Sequence, residues 1–361
     1  MNTFLKPLII GDLEIKVPII QGGMGVKIST ADLASAVAQC GAAGTISGVG
    51  LGYGTPENET NFVKASRDGL IREIRKVKNI TKGPVGVNLM VAASNFDDLA
   101  QTACAEKIDF IAAGAGLPLH LPKFDSKRAI KLIPIVSSAR AADLIIKAWK
   151  KRYNRLPDAI IVEGPLAGGH LGFKNIELHG LKRNQLEKIL NDVLVLGKEL
   201  NIPVIPAGGI YDGKDIARYL LMGASGVQMA TRFVTTHECS VSPNVKNLYI
   251  KATKEDLIII DSPVGMPGRA IKTKLIERIL NHEKIMFTCH YHCLRTCDPE
   301  KTLYCIAESM FNATIGDVDN AVVFAGQNVT RVKKIISVKE LIESLVKQTL
   351  RYLNKKTTIK C

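Results

Sequence analysis

Aromatic residues are scarce in this chain. Phe, Tyr and Trp make up 5% of its 361 residues, and Trp149 is the only tryptophan. A core with so few rings must be aliphatic, built from Ile, Val, Leu and Ala, and that composition suits a parallel sheet covered on both faces. No apolar run approaches the roughly 20 residues needed to span a bilayer. The stretch 5–10 is too short for a secretory signal core and leads straight into charged residues. A cytoplasmic protein with no membrane partner is therefore expected. Acidic residues are outnumbered, 34 against 48 Lys and Arg, for a net charge of +14. The basic residues are spread along the chain, and no basic run interleaves with aromatics. The clustered footprint of a nucleic-acid binder is missing, so nucleic acid is not expected as a partner. The eight cysteines have no secretory context and read as reduced thiols or metal ligands.

What the chain does have is alternation. Short apolar runs at 17–21, 43–47, 84–90, 109–114, 131–136, 158–163, 202–207 and 225–230 make eight candidate strands. Each is too short, and too β-branched or glycine-bounded, to be a buried helix. Helical periodicity fills the gaps. Ser29 with Asp32 is expected to cap a helix reaching Cys40, with Gly41 as its stop. The stretches 182–200 and 215–222 show the same period, and Gly223 closes the latter. Strand and helix alternating eight times predict a closed α/β barrel, a (β/α)8 TIM barrel, with an open doubly wound sheet as the alternative. The alternation stops near residue 237. Residues 1–236 are thus expected to form the barrel and 237–361 an extension packed on it, with helices over 272–282 and 338–353 and a Cys-rich insertion at 289–305.

In such barrels chemistry sits at the C-terminal ends of the strands. Gly22, Gly23 and Met24 follow the first run, Asn88 ends the third and Glu163 the sixth. Gly208-Gly209 follow the seventh, and Ala230-Thr231 the eighth. Bare glycine backbone at so many strand ends allows close approach to a flat or phosphorylated ligand. The loops after the last two strands are the usual phosphate site of this fold. His170, just beyond Gly168-Gly169, is the best acid/base candidate, because its intrinsic pKa lies near neutrality. His120, His179, His237 and His282 have no such setting.

The blocks Ile19–Met24, Gly86–Met90, Glu163-Gly164 with Ala167–His170, Pro206–Ile210 with Asp212-Gly213, Gln228–Phe233, Gly265–Ile271 and Ala325–Gln327 occur in order through most of the chain. They resemble the nitronate monooxygenase (2-nitropropane dioxygenase) family and are similar to FabK, the flavin enoyl-acyl-carrier-protein reductase. The resemblance implies an FMN barrel. Gly22, Gly23, Met24 and Asn88 would hold the isoalloxazine ring. Gly208, Gly209, Gly226, Gln228, Met229, Ala230 and Thr231 would hold the phosphate end, with Glu163 and Gly169 completing the cofactor set. His170 would face the substrate over the flavin. Many nitronate monooxygenases carry a lysine near the end of the fifth strand; here 133–138 reads Ile-Pro-Ile-Val-Ser-Ser, apolar as in FabK.

A second departure is Cys289, Cys293, Cys297 and Cys305, interleaved with His290 and His292. Soft thiolates at close spacing point to an iron–sulfur cluster or a zinc ion, with ordinary buried thiols, or disulfides in an oxidising compartment, as the bland alternatives. The expected activity is oxidation of alkyl nitronates with O2. The alternative is NAD(P)H-dependent reduction of an enoyl thioester, and a ligand-binding barrel without turnover is the remote one. Acyl carrier protein and a second copy of the chain are the candidate macromolecular partners.

Overall fold

The computed structural model describes residues 4–178, 185–289 and 291–358. Eight strands form one parallel sheet: β1 (Ile19–Gln21), β2 (Gly44–Ser47), β3 (Val85–Met90), β4 (Phe110–Gly114), β5 (Lys131–Val136), β6 (Ile160–Glu163), β7 (Val204–Ala207) and β8 (Val227–Met229). Their order around the sheet is β1-β8-β7-β6-β5-β4-β3-β2. A parallel bridge between Ile20 and Ala43, with Gln21 N–H donating to the Ala43 carbonyl at 2.8 Å, closes the circle. The fold is a (β/α)8 TIM barrel, not an open sheet.

The period-two pattern of the strands separates two cores. Ile20, Phe110, Ala112, Ile133, Ile161, Ile205 and Ala207 point into the barrel, where Leu8, Ile10 and Ile15 join them. Those three belong to an antiparallel hairpin, Leu8–Ile10 with Leu13–Ile15, which fills the N-terminal end of the barrel. It was not expected from the sequence, because its strands are only three residues long. Phe110 fits inside because Gly86 faces it; a Cβ at Gly86 would lie 2.2 Å from the ring. The other strand faces pack against the helices in one continuous layer, which contains the fully buried Trp149. Its indole N–H donates to the Pro118 carbonyl at 2.9 Å.

The first helix runs Ala31–Gln39 from Thr30, which makes no side-chain cap. The expected Ser29–Asp32 capping pair does not form. The Ser29 hydroxyl instead accepts the Met24 N–H at 2.8 Å, pinning the turn after β1. Glu73 takes over the helix end, accepting the Ala31 N–H at 2.9 Å.

Beyond β8, Leu257–Asp261, Pro267–Ile271 and Val323–Phe324 form a small antiparallel sheet, and Pro267–Ile271 also pairs with Gly169–His170 of the barrel. The helix Val338–Thr358 lies against Gly213–Leu221 and Ala31–Gln39. Gly213 permits this approach: a Cβ there would lie 2.4 Å from Gln348, whose Oε1 accepts the Gly213 N–H at 3.1 Å. The expected helix over 272–282 is present as Lys274–Leu280. Pro243–Lys251 and Ile306–Ile315 are additional helices. Among the described residues no helix is long and apolar enough to cross a membrane.

Candidate active site

A cavity opens at the C-terminal ends of the strands. Gly22, Gly23, Met24, Asn88, Glu163, Gly169, His170, Gln228, Ala230 and Thr231 all line it. Strand-end geometry explains the convergence, since side chains ending on the inner face of a barrel point to one mouth. Four of the expected residues lie elsewhere. Gly226 sits at the opposite, N-terminal end of β8, where a Cβ would lie 2.9 Å from the Pro18 carbonyl oxygen. With β8 only three residues long, the glycine preceding it cannot reach the mouth. Met229 alternates outward from Gln228 and is buried in the layer beneath the helices. Gly208 and Gly209 lie outside the cavity wall, at the end of β7.

Both of those glycines have left-handed backbone, φ +88° and +78°. Their N–H groups donate to no carbonyl among the described residues. A ring of loops surrounds them. Gly326 N–H donates to the Thr231 hydroxyl at 3.0 Å, Gln327 N–H to the Leu166 carbonyl at 3.1 Å, and the Asn328 amide to the Gly209 carbonyl at 2.6 Å. Because the Thr231 oxygen accepts from Gly326, its own proton remains free to donate. Gly169, at φ +81°, has nothing within 4 Å of where a Cβ would stand, so bare backbone faces open space there.

His170 is half-buried in the cavity wall. Its Nε2 lies 2.8 Å from the Ser262 hydroxyl, and its ring meets Phe324 edge-on with centroids 4.9 Å apart. Burial pushes its pKa down to about 4. Burial acts oppositely on Glu163, whose carboxyl is pushed up to about 8. The charged form of each group is the disfavoured one, so at neutral pH the imidazole is neutral and the carboxyl is mostly protonated.

Ser262 and Phe324 carry no sequence signal, and Arg269 stands in the block Gly265–Ile271 with no role attached to it. Arg269 is buried, and its guanidinium donates to the carbonyls of Pro165 at 2.7 Å and Ala167 at 2.6 Å. It braces the loop that carries Gly168-Gly169-His170. Its place in that block, as a lone charge inside the apolar strand Pro267–Ile271, is the signal that marks it.

The cysteine cluster does not assemble as expected. Cys289, Cys297 and Cys305 are near enough to Cys293 to influence its ionisation. Yet among the described residues no group of three or more His, Cys, Asp or Glu side chains is arranged to hold a metal ion. Burial and neighbouring thiols push Cys293 up to about 12, and Cys297 and Cys305 are raised too, burial being the main cause in each. The segment runs as irregular chain, and Cys293 and Leu294 of it line the mouth. His290 and His179 lie outside the described residues. His120 is held by Asp97 at 2.9 Å, away from the cavity.

A family model for nitronate monooxygenase matches residues 6–113 and 93–348. The chain belongs to the nitronate monooxygenase family. A probable nitronate monooxygenase of Staphylococcus saprophyticus is 26% identical over 395 residues, covering 97% of this chain and 99% of that one. A Mycobacterium tuberculosis protein, (3aS,4S,5R,7aS)-5-hydroxy-7a-methyl-1-oxo-octahydro-1H-indene-4-carboxyl-CoA dehydrogenase, is 30% identical over 267 residues, or 74% of this chain; the match spans 66% of that relative's length. Among solved structures, FabK from Thermotoga maritima superposes with a TM-score of 0.74 at 28% identity, covering 96% of each chain. The nitronate monooxygenase family, with its FabK-type branch, is one of FMN-dependent oxidoreductases. The unpartnered N–H groups of Gly208 and Gly209, the free Thr231 proton and the open face at Gly169 are the donors and clearance that a phosphorylated flavin requires.

Proposed function

We propose that this chain is an FMN-dependent oxidoreductase that oxidises alkyl nitronates with O2, with His170 as its acid/base group. In this reading Gly208, Gly209 and Thr231 hold the phosphate, while Gly22, Gly23, Met24, Asn88, Glu163, Gly169, Gln228 and Ala230 line the rest of the cofactor bed. Residues 1–236 form the flavin barrel, and 237–361 form the extension that supplies Ser262, Arg269 and Phe324. FMN, when bound, supplies the electron acceptor. The protein holds the substrate over it, excludes water and moves one proton.

The placement of His170 carries the proposal: it lines the cavity, with Nε2 held 2.8 Å from the Ser262 hydroxyl and its ring against Phe324. A neutral ring can take a proton at once, so it can remove the α-proton of a nitroalkane and leave the nitronate. A preformed nitronate needs no such step. Protonated Glu163 can donate a hydrogen bond without placing a charge in the cavity. Ile135 lines the cavity in the stretch 133–138, which has no lysine where many family members carry one, and this apolar wall supports the second reading: NAD(P)H-dependent reduction of an enoyl thioester, delivered free or on acyl carrier protein. Two assays on the purified protein separate them. Nitronate oxidation predicts O2 uptake with propionate 3-nitronate. Enoyl reduction predicts anaerobic NAD(P)H consumption with a crotonyl thioester. Absence of bound FMN after reconstitution would remove both.

A further inference from the structure

One part of the cavity wall comes from outside the strand ends. Phe62, Leu99, Leu294, Ile306 and Met310 contribute apolar side chains to it. These residues form one neighbourhood. Ala93 bridges to Leu294, and Ser94 N–H donates to the Cys293 carbonyl at 3.0 Å. Tyr291, two residues before Cys293, stacks on Phe62 with centroids 4.6 Å apart. Leu294, Ile306 and Met310 share one hydrophobic cluster.

Asn95 also lines the cavity, beside Ala93 and one helical turn before Leu99. It is 6% exposed. It occupies the N-cap position of the helix Phe96–Ala105, where an asparagine side chain ordinarily accepts a helix N–H. Here the carboxamide makes no such bond. Only its main-chain carbonyl is engaged, by Leu99 N–H at 3.1 Å. Among the described residues the side chain has no hydrogen-bond partner. A carboxamide offers two donor protons and an acceptor oxygen, and at the cavity wall they stay available to whatever fills it. The group most able to match it is the ligand of the cavity it lines.

We infer that Asn95 is a substrate-recognition residue, hydrogen-bonding a carbonyl or amide group carried on an otherwise apolar acyl or alkyl arm. The apolar wall around it takes the arm, and the carboxamide selects the one polar group along it. An amide on the ligand satisfies the donor and the acceptor together. This assignment deepens the proposed function by naming the substrate chemistry, and it rests on the cavity being the substrate site. It does not depend on whether the reaction is oxidation or reduction.

The test reads binding, so that it stays separate from turnover. Calorimetry on the purified protein with its cofactor compares octanamide with methyl heptyl sulfide, which is similar in length but lacks the amide. Wild type should favour octanamide. Asn95→Leu should bind octanamide ~10-fold more weakly, the order of one lost hydrogen bond, and bind the sulfide as well as before or more tightly. Asn95→Ala serves as the second variant should leucine overfill the site. Thermal unfolding of both variants should stay close to wild type, since no cap is lost. Equal octanamide affinity in wild type and variants overturns the assignment, as does failure of wild type to bind octanamide. Lowered stability with an unchanged ligand preference makes Asn95 structural and also overturns it. Selective octanamide binding without nitronate or enoyl turnover would leave Asn95 in place and remove only the proposed reaction.

Discussion

His170 Nε2 lies 2.8 Å from the hydroxyl of Ser262, 92 residues further along the chain. The contact joins the loop after β6 to the sheet of the extension, where Gly268 pairs with His170 and Arg269 with Gly169. The imidazole is thus fixed on one side by a hydroxyl and on another by the Phe324 ring, while the residue lines the cavity. An acid/base group needs this restraint, because proton transfer falls off steeply with misplacement.

Removing the imidazole tests its role directly. His170→Ala should retain FMN, since the phosphate donors lie elsewhere, and lose about 10²–10⁴-fold in turnover, the usual range for a general acid or base. The loss should be larger with a neutral nitroalkane than with its preformed nitronate. Oxygen uptake with the two substrates, alongside flavin absorbance, decides it; near-normal turnover on both would make His170 structural.

The pH dependence follows from burial. His170 acts as a base only when neutral, and its pKa is pushed down to about 4. With a nitroalkane, kcat/KM should therefore stay level as pH falls from 7 and decline only through about 4. An acid limb centred near 6.5, the ordinary histidine value, would show that the imidazole is solvated in the working enzyme.

Glu163 should have the opposite linkage. Its folded-state pKa is raised to about 8 from an ordinary 4.5. Its contribution to stability is fully present below 4.5 and is lost as pH rises through about 8. Glu163→Gln keeps the neutral shape without the titration. The variant should match wild type near pH 4.5 and exceed it in Tm by about 2 °C or more at pH 9. Differential scanning calorimetry of the flavin-free proteins at the two pH values measures the gap, and a gap independent of pH would contradict the assignment.

Arg269 should matter to both stability and the site. Arg269→Met leaves the buried carbonyls of Pro165 and Ala167 without their donor, at a cost of roughly 2–4 kcal/mol. Urea unfolding should report that loss. Turnover should fall as well, because the loop leading to His170 loses its brace. Unchanged kcat in a destabilised variant would confine Arg269 to folding.

Several of these residues were legible in sequence. Gly22, Asn88, Glu163 and Thr231 stand at the ends of apolar runs, and a parallel barrel brings all such ends to one mouth. Position in the repeat was therefore enough to group them. Gly226 and Met229, named through the family resemblance, lie off the cavity, because a shift of one or two residues along a three-residue strand changes which end or face a side chain occupies. For the cysteines, spacing in sequence did not translate into a group arranged to hold a metal among the described residues.

By itself, then, the sequence determined the barrel, its eight strands and which residues stand at their ends, because periodicity and glycine placement are local properties that the backbone must obey. Only the tertiary structure decided what surrounds His170. Ser262, Arg269 and Phe324 come from an extension whose strands are short and unpatterned, and they reach the site through antiparallel pairing with two residues of a loop. Burial also set the protonation of His170 and Glu163 in opposite directions. That follows from removing water around each group, and desolvation is a property of the assembled fold.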